Sequence, residues 1–297
     1  TYPLVRAMEQ SPVRERLKAC WTHSVWAAPF AFVFAFGAVQ ALMRGSIFLQ
    51  YISDESAPKW ISAALMLAIA WYAMRCGVET LLRVCGILFW LFCISVVLLL
   101  ISNVQEMRFY HLALRPFSAS EVFSAAFKEV SVSPQIPLFL CFSASGTPPA
   151  QKGYSAAILA AMVLAAVFST ISEMVLGTQA QMQNQTVYAL SRLGSISVMQ
   201  RLDAMHCAVW MMMEITKVCA FAVGLRSALQ FFLPQWNTER LCAGALSLLV
   251  VMFLLCYGLQ DLQRQWVETA LSAAVLALAA YQIQRQRRKA NESNHGA

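Results

Sequence analysis

The sequence predicts an all-α protein that crosses a lipid bilayer several times. Of its 297 residues, 59% are hydrophobic and only 12% are charged, whereas soluble domains carry roughly 25% charged residues. The apolar residues gather into runs long enough for a helix, at about 1.5 Å per residue, to cross a hydrocarbon core of about 30 Å. The basic residues fall at the ends of these runs. The formal net charge of +7 therefore marks interfacial positions and not a nucleic-acid surface, which would need a single basic patch.

Residues 1–24 are mixed and basic, with Arg6, Arg14, Arg16 and Lys18, and read as an amphipathic cytoplasmic loop. Spans are expected at 25–49, 58–74, 82–101, 121–145, 154–176, 201–230, 241–257 and 266–283. The first is rich in phenylalanine and holds Gln40 and Arg44. Arg44 is close enough to a span end to reach the interface with its charged tip, whereas Gln40 either faces an internal cavity or bridges helices. After the acidic loop at Asp54 and Glu55, Pro58 and Trp60 open the second span. Arg75, Gly77, Glu79 and Arg83 form a polar turn before the third, with Glu79 and Arg83 spaced i,i+4 as a helix-terminal pair.

The fourth span differs from the others. Its centre holds Ser131, Ser133, Pro134, Gln135 and Pro137. Each proline lacks an N–H and clashes with the carbonyl four residues back, so the helix is expected to break. Non-helical backbone at membrane depth is tolerated only inside protein or along a cavity. Freed carbonyls can meet an ammonium group, and the N–H groups opening the following half-helix can meet a carboxylate. A zwitterionic amino acid needs both, which makes Ser131, Ser133, Pro134 and Gln135 candidate ligand contacts; a proline kink serving packing alone is the plainer alternative. The polar segment 177–200 is expected to lie outside the bilayer, and the tail 284–297, with Arg285, Arg287, Arg288 and Lys289, reads as a basic cytoplasmic extension.

The sixth span carries charge in its middle. Asp203, His206, Trp210, Glu214, Lys217 and Gly224 follow one another at helical spacing, forming one stripe. A charge at the centre of a spanning helix costs about 3 kcal/mol on insertion scales, so the stripe should face protein or water. Lys217 has three readings: an ion pair with Glu214, a substitute for a coupling cation, or a ligand contact. Trp210, Glu214 and Lys217 join Gln40 as candidate site residues.

With both termini cytoplasmic, the inner loops collect Arg6, Arg14, Arg16, Lys18, Arg75, Arg83, Lys152, Arg240 and the basic tail, as the positive-inside rule requires. Nine cysteines occur, without CxxC or Cys/His spacing, so they read as small buried apolar residues and no metal or cofactor is expected. HExxH, GxSxG and paired intramembrane aspartates are lacking, which speaks against an enzyme.

Pro58-Lys59-Trp60 at a span start, followed by Gly77, Glu79 and Arg83, resembles the P…G-x-E-x-x-x-R region of the spore germination permeases. Arg201-Leu202-Asp203 with Trp210 and Lys217 is similar to their R-[FL]-[ED]…W…K helix, and Leu114-Arg115-Pro116 to the L-x-P loop before their sixth helix. The resemblance implies the B-type subunit of an endospore germinant receptor. Such a subunit has the LeuT-like ten-helix fold of the amino acid–polyamine–organocation superfamily. It sits in the inner spore membrane, senses a small amino-acid-like nutrient, and acts with A-type and C-type subunits. On that fold the spans above correspond to helices three to ten, with the first two expected ahead of Thr1. A secondary amino-acid permease that moves its substrate is the alternative.

Overall fold

A computed structural model describes residues 24–53, 58–111, 153–181, 186–193, 203–233 and 235–258. Among them the chain is entirely helical: α1 (Ser24–Ile52), α2 (Lys59–Cys76), α3 (Val78–Asn103), α4 (Gly153–Leu176), α5 (Thr186–Leu193), α6 (Asp203–Phe232) and α7 (Thr238–Gly258). Within these residues, four segments are long and apolar enough to span a bilayer: Phe30–Ile52, Val78–Glu106, Ala204–Gln230 and Thr238–Cys256. Trp60–Cys76 and Met162–Leu176 are shorter apolar helices. The molecule is a multi-spanning membrane protein. The proline-broken span at 121–145 and the last span at 266–283 lie outside the described residues.

The chain divides into two compact units. The first gathers α1, α2, the second half of α6 from Ile215, and α7. Here α1 packs on both α2 and α7, which also touch each other. Val33, Phe34, Ala35, Ala38, Val39 and Leu42 of α1 are all buried. Six buried positions within ten residues wrap all sides of a helix, the pattern of a core element rather than an edge one.

Proline and glycine punctuate this unit. Pro58 holds extended backbone ahead of α2, and its carbonyl accepts the Ile61 N–H at 3.1 Å. At the other end Gly77 has φ +86 and donates its N–H to the Ala73 carbonyl at 3.0 Å. That left-handed conformation suits glycine and lets α3 begin at once. The turn expected over Arg75–Arg83 is therefore reduced to Gly77, and Glu79 and Arg83 belong to the first turns of α3.

The second unit comprises α3 from Leu82, α4 from Ser155, α5, and α6 up to Glu214. Much of α3 exposes large apolar side chains, among them Ile87, Phe89, Trp90 and Ile94, as a lipid-facing helix should. Beyond α3 the chain turns back onto α4. The Met174 carbonyl accepts the Arg108 N–H at 3.0 Å and Nδ1–H of His111 at 3.1 Å. Because a carbonyl only accepts, this contact fixes the proton on His111 Nδ1. Met174 lies in the last turn of α4, where carbonyls lack helical partners.

Gly177 follows with φ +56, and a Cβ there would sit 3.3 Å from the His111 ring. Both the backbone conformation and the close ring disfavour a side chain. Gly177→Ala is expected to cost about 1–2 kcal/mol, read as a lowered Tm of the detergent-solubilised protein. Gly177→Asn should lose less than Gly177→Ala, because asparagine tolerates left-handed backbone better.

Segment 177–200 was expected to be a polar connection. Part of it is instead α5, on which Leu190 and Ser191 are buried and the Arg192 guanidinium lies 6.0 Å from the Tyr188 ring centroid. The apolar content is low, but Leu190 placed on one side of a two-turn helix is enough to dock it.

Candidate functional site: the polar stripe of α6

Helix α6 is unbroken over 30 residues, about 45 Å at the usual rise. Its glycine, Gly224, is buried and does not interrupt it. Within the second unit, His206 is 6% exposed and Glu214 2% exposed, with Trp210 half-buried between them. Within the first unit, Lys217 is half-buried and Gly224 buried. The stripe thus turns inward, as the cost of exposing charge to lipid demands.

In the second unit the stripe meets α3. Ser95 Oγ and His206 Nδ1 lie 2.9 Å apart, and both residues are buried. Ser102 and Asn103 continue the buried polar side of α3: Ser102 Oγ donates to the Leu99 carbonyl at 2.9 Å, and Asn103 Nδ2 donates to the same carbonyl at 2.9 Å. Ser172 of α4 and Ser191 of α5 are buried in this unit as well. The unit therefore buries several polar side chains among Val96, Leu99, Leu190 and Val209, while large apolar side chains of α3 face outward.

In the first unit, Gln40 of α1 is 7% exposed. Toward one end of the unit, Arg226 of α6 donates Nη1 to the Met74 carbonyl in the last turn of α2. A cation there satisfies an orphan carbonyl and meets the negative end of the helix dipole. Arg75 reaches Glu239, in the first turn of α7, at 3.4 Å. Both partners are more than half exposed, so this pair contributes little to stability. It nevertheless places the end of α2 beside the start of α7, and in the expected orientation this is the cytoplasmic end. Arg226→Ala is expected to lower stability by about 1–3 kcal/mol, the scale of a charge-assisted bond to a carbonyl left otherwise unpaired. Arg226→Lys should recover part of the loss, and thermal denaturation of the two variants checks both.

The structure brings Gln40 and Lys217 into one unit and Trp210 and Glu214 into the other. Ser131, Ser133, Pro134 and Gln135 lie outside the described residues. Sequence reasoning placed His206 on the stripe without making it a site residue, and passed over Ser95 and Arg226. A histidine at stripe spacing was the available signal. A single serine in the apolar run of α3 carries almost none. No group of three or more His, Cys, Asp or Glu side chains suited to a metal occurs among the described residues.

A family model described as spore germination protein matches residues 21–265. No curated protein and no solved structure matches the chain.

Proposed function

The chain belongs to the spore germination protein family, and from that membership we propose that it is the nutrient-sensing subunit of a germinant receptor, built on a LeuT-like transporter scaffold. The observation that carries the reading is the inward-facing stripe of α6. Buried ionisable groups inside a spanning helix are expensive and mark ligand or ion pathways, and here His206 and Glu214 are almost fully buried. Trp210 offers an apolar wall on the same stripe, and Lys217 a cation one turn beyond Glu214.

The nutrient is a small zwitterionic amino acid. Its carboxylate and ammonium groups match the freed backbone expected around Ser131, Ser133, Pro134 and Gln135, with Gln40 as a neutral partner. The subunit acts without cofactor or chemical turnover, in the inner spore membrane, beside A-type and C-type subunits. Both ends of the chain face the cytoplasm.

Spores lacking this protein, exposed to each of the amino acids in turn, test the reading. Loss of the optical-density fall with one or more amino acids is expected. An unchanged response to all of them would overturn it. Saturable uptake of a labelled amino acid by proteoliposomes of the natural full-length protein would replace sensing by transport.

A further inference from the structure

The Ser95–His206 pair has one atom whose partner is missing. His206 Nε2 is buried and has no hydrogen-bond partner among the described residues. The tautomer follows from counting donors. Ser95 makes its one hydrogen bond among the described residues to His206 Nδ1. If Nδ1 carried the proton, the Ser95 hydroxyl hydrogen and the Nε2 lone pair would both go unmatched. If Ser95 donates to Nδ1, a single group is left over, the Nε2–H. The second arrangement leaves the fewer orphans and is therefore the favoured one.

A buried donor without a partner is costly, and more than nine-tenths of His206 is removed from solvent. The residue could have been a phenylalanine or leucine at no such cost. Ser95 favours keeping the donor, because once its hydroxyl donates to Nδ1 the neutral ring carries its proton on Nε2. Besides Glu214 Oε2, eight residues along α6 from His206 on a side chain that has another interaction, one more buried oxygen of this unit lacks a hydrogen bond among the described residues, the acceptor Asn103 Oδ1. It lies eight residues along α3 from Ser95, about 12 Å by helical rise. That is too far for it to serve the same ligand atom or to satisfy Nε2 itself.

We propose that His206, held in its Nε2–H tautomer by Ser95, is a binding contact for the carboxylate or carbonyl oxygen of a small polar ligand inside the second unit. An oxygen acceptor is the only chemistry that matches a fixed neutral donor. A cation is repelled, and an apolar group leaves the N–H unmatched. This deepens the amino-acid-sensing reading and rests on it, adding a contact on α3 and α6 within the second unit.

The test uses the natural full-length protein in nanodiscs. The twenty amino acids are screened by thermal shift, and each binder is then compared with the amine that lacks its carboxylate. The wild type is expected to prefer the acid. In His206→Phe that preference should shrink by about tenfold, the size of one hydrogen bond, and His206→Gln, which keeps an N–H donor, should restore most of it. A preference equal in wild type and His206→Phe would overturn the proposal, since water or nothing then occupies the donor. If His206→Phe does not fold, Ser95→Ala carries the test: it releases the tautomer and should lower the preference severalfold, and an unchanged preference overturns the proposal. Binding of no amino acid by the wild type would instead bring down the sensing reading itself, and this contact with it.

Discussion

Gly37→Leu is expected to cost the protein about 2–3 kcal/mol and to be rescued in part by a change on another helix. A Cβ at Gly37 of α1 would sit 3.1 Å from Cε1 and Cζ of Phe221 and 3.2 Å from its Cδ1. Phe221, on the second half of α6, is itself buried, at 3% exposure, so its ring has little freedom to retreat. For alanine two effects oppose each other. The methyl is tight by a few tenths of an ångström, but removing a glycine from a helix interior gains up to about 1 kcal/mol. The net effect of Gly37→Ala should lie near zero. Leucine has the same propensity gain and adds three more carbons against the ring, so overpacking of about 1–3 kcal/mol or more decides. In a membrane the unfolded helices keep their apolar surface in lipid, so the hydrophobic term largely cancels and packing alone is read. Thermal denaturation of Gly37→Leu, Phe221→Ala and the double variant measures the coupling. A non-additivity above about 1 kcal/mol is expected for groups in contact. Strict additivity would mean that α1 and this part of α6 do not approach as described.

The helix ends of the first unit were readable because proline and glycine mark them chemically. Pro58 must lie at a helix start, and Gly77 can hold φ +86 where an L-residue is strained. The stripe of α6 was readable for a similar reason, since charges at steps of three and four stand out against an apolar background. The contacts those residues make were not. Ser95 and His206 are 111 positions apart, and Arg226 and Met74 are 152 apart. No local rule reports which of many serines or carbonyls will lie opposite. Gly37 went unread because a glycine in a phenylalanine-rich run can mean a close crossing, a kink or nothing at all until the facing ring is known. Helix α5 was missed because one buried leucine does not set a period. The ten-helix architecture and the broken span rest on the family resemblance and on the prolines. The described residues do not reach that span.

Lys217→Ala is expected to abolish the germination response to the amino acid while the protein still accumulates and assembles in the spore membrane. Lys217 lies inside the span Ala204–Gln230, is only half-exposed, and stands three residues beyond Glu214, which is 2% exposed. A lysine at mid-span costs about 3 kcal/mol on insertion scales unless protein or water receives it. A neutral side chain would remove that cost, so the charge itself must serve. Two uses are open to it: neutralising Glu214 along the same helix, or meeting a ligand or taking a coupling cation's place. They differ in what rescues them. If the charge only balances Glu214, then Lys217→Ala leaves a carboxyl unmatched and destabilises by roughly 3–5 kcal/mol. The double change Glu214→Gln, Lys217→Met would then restore both stability and germination. If Lys217 serves the ligand, the double change restores stability alone, and spores carrying it remain unresponsive. Lys217→Arg keeps the charge but replaces a compact ammonium by a planar fork, so it should retain assembly with a response shifted to higher nutrient concentration. Following the fall in optical density of spores carrying each variant, with immunodetection of the membrane protein as the control for assembly, separates the cases. Germination at the wild-type rate in Lys217→Ala spores would end the assignment of Lys217 to the sensing site.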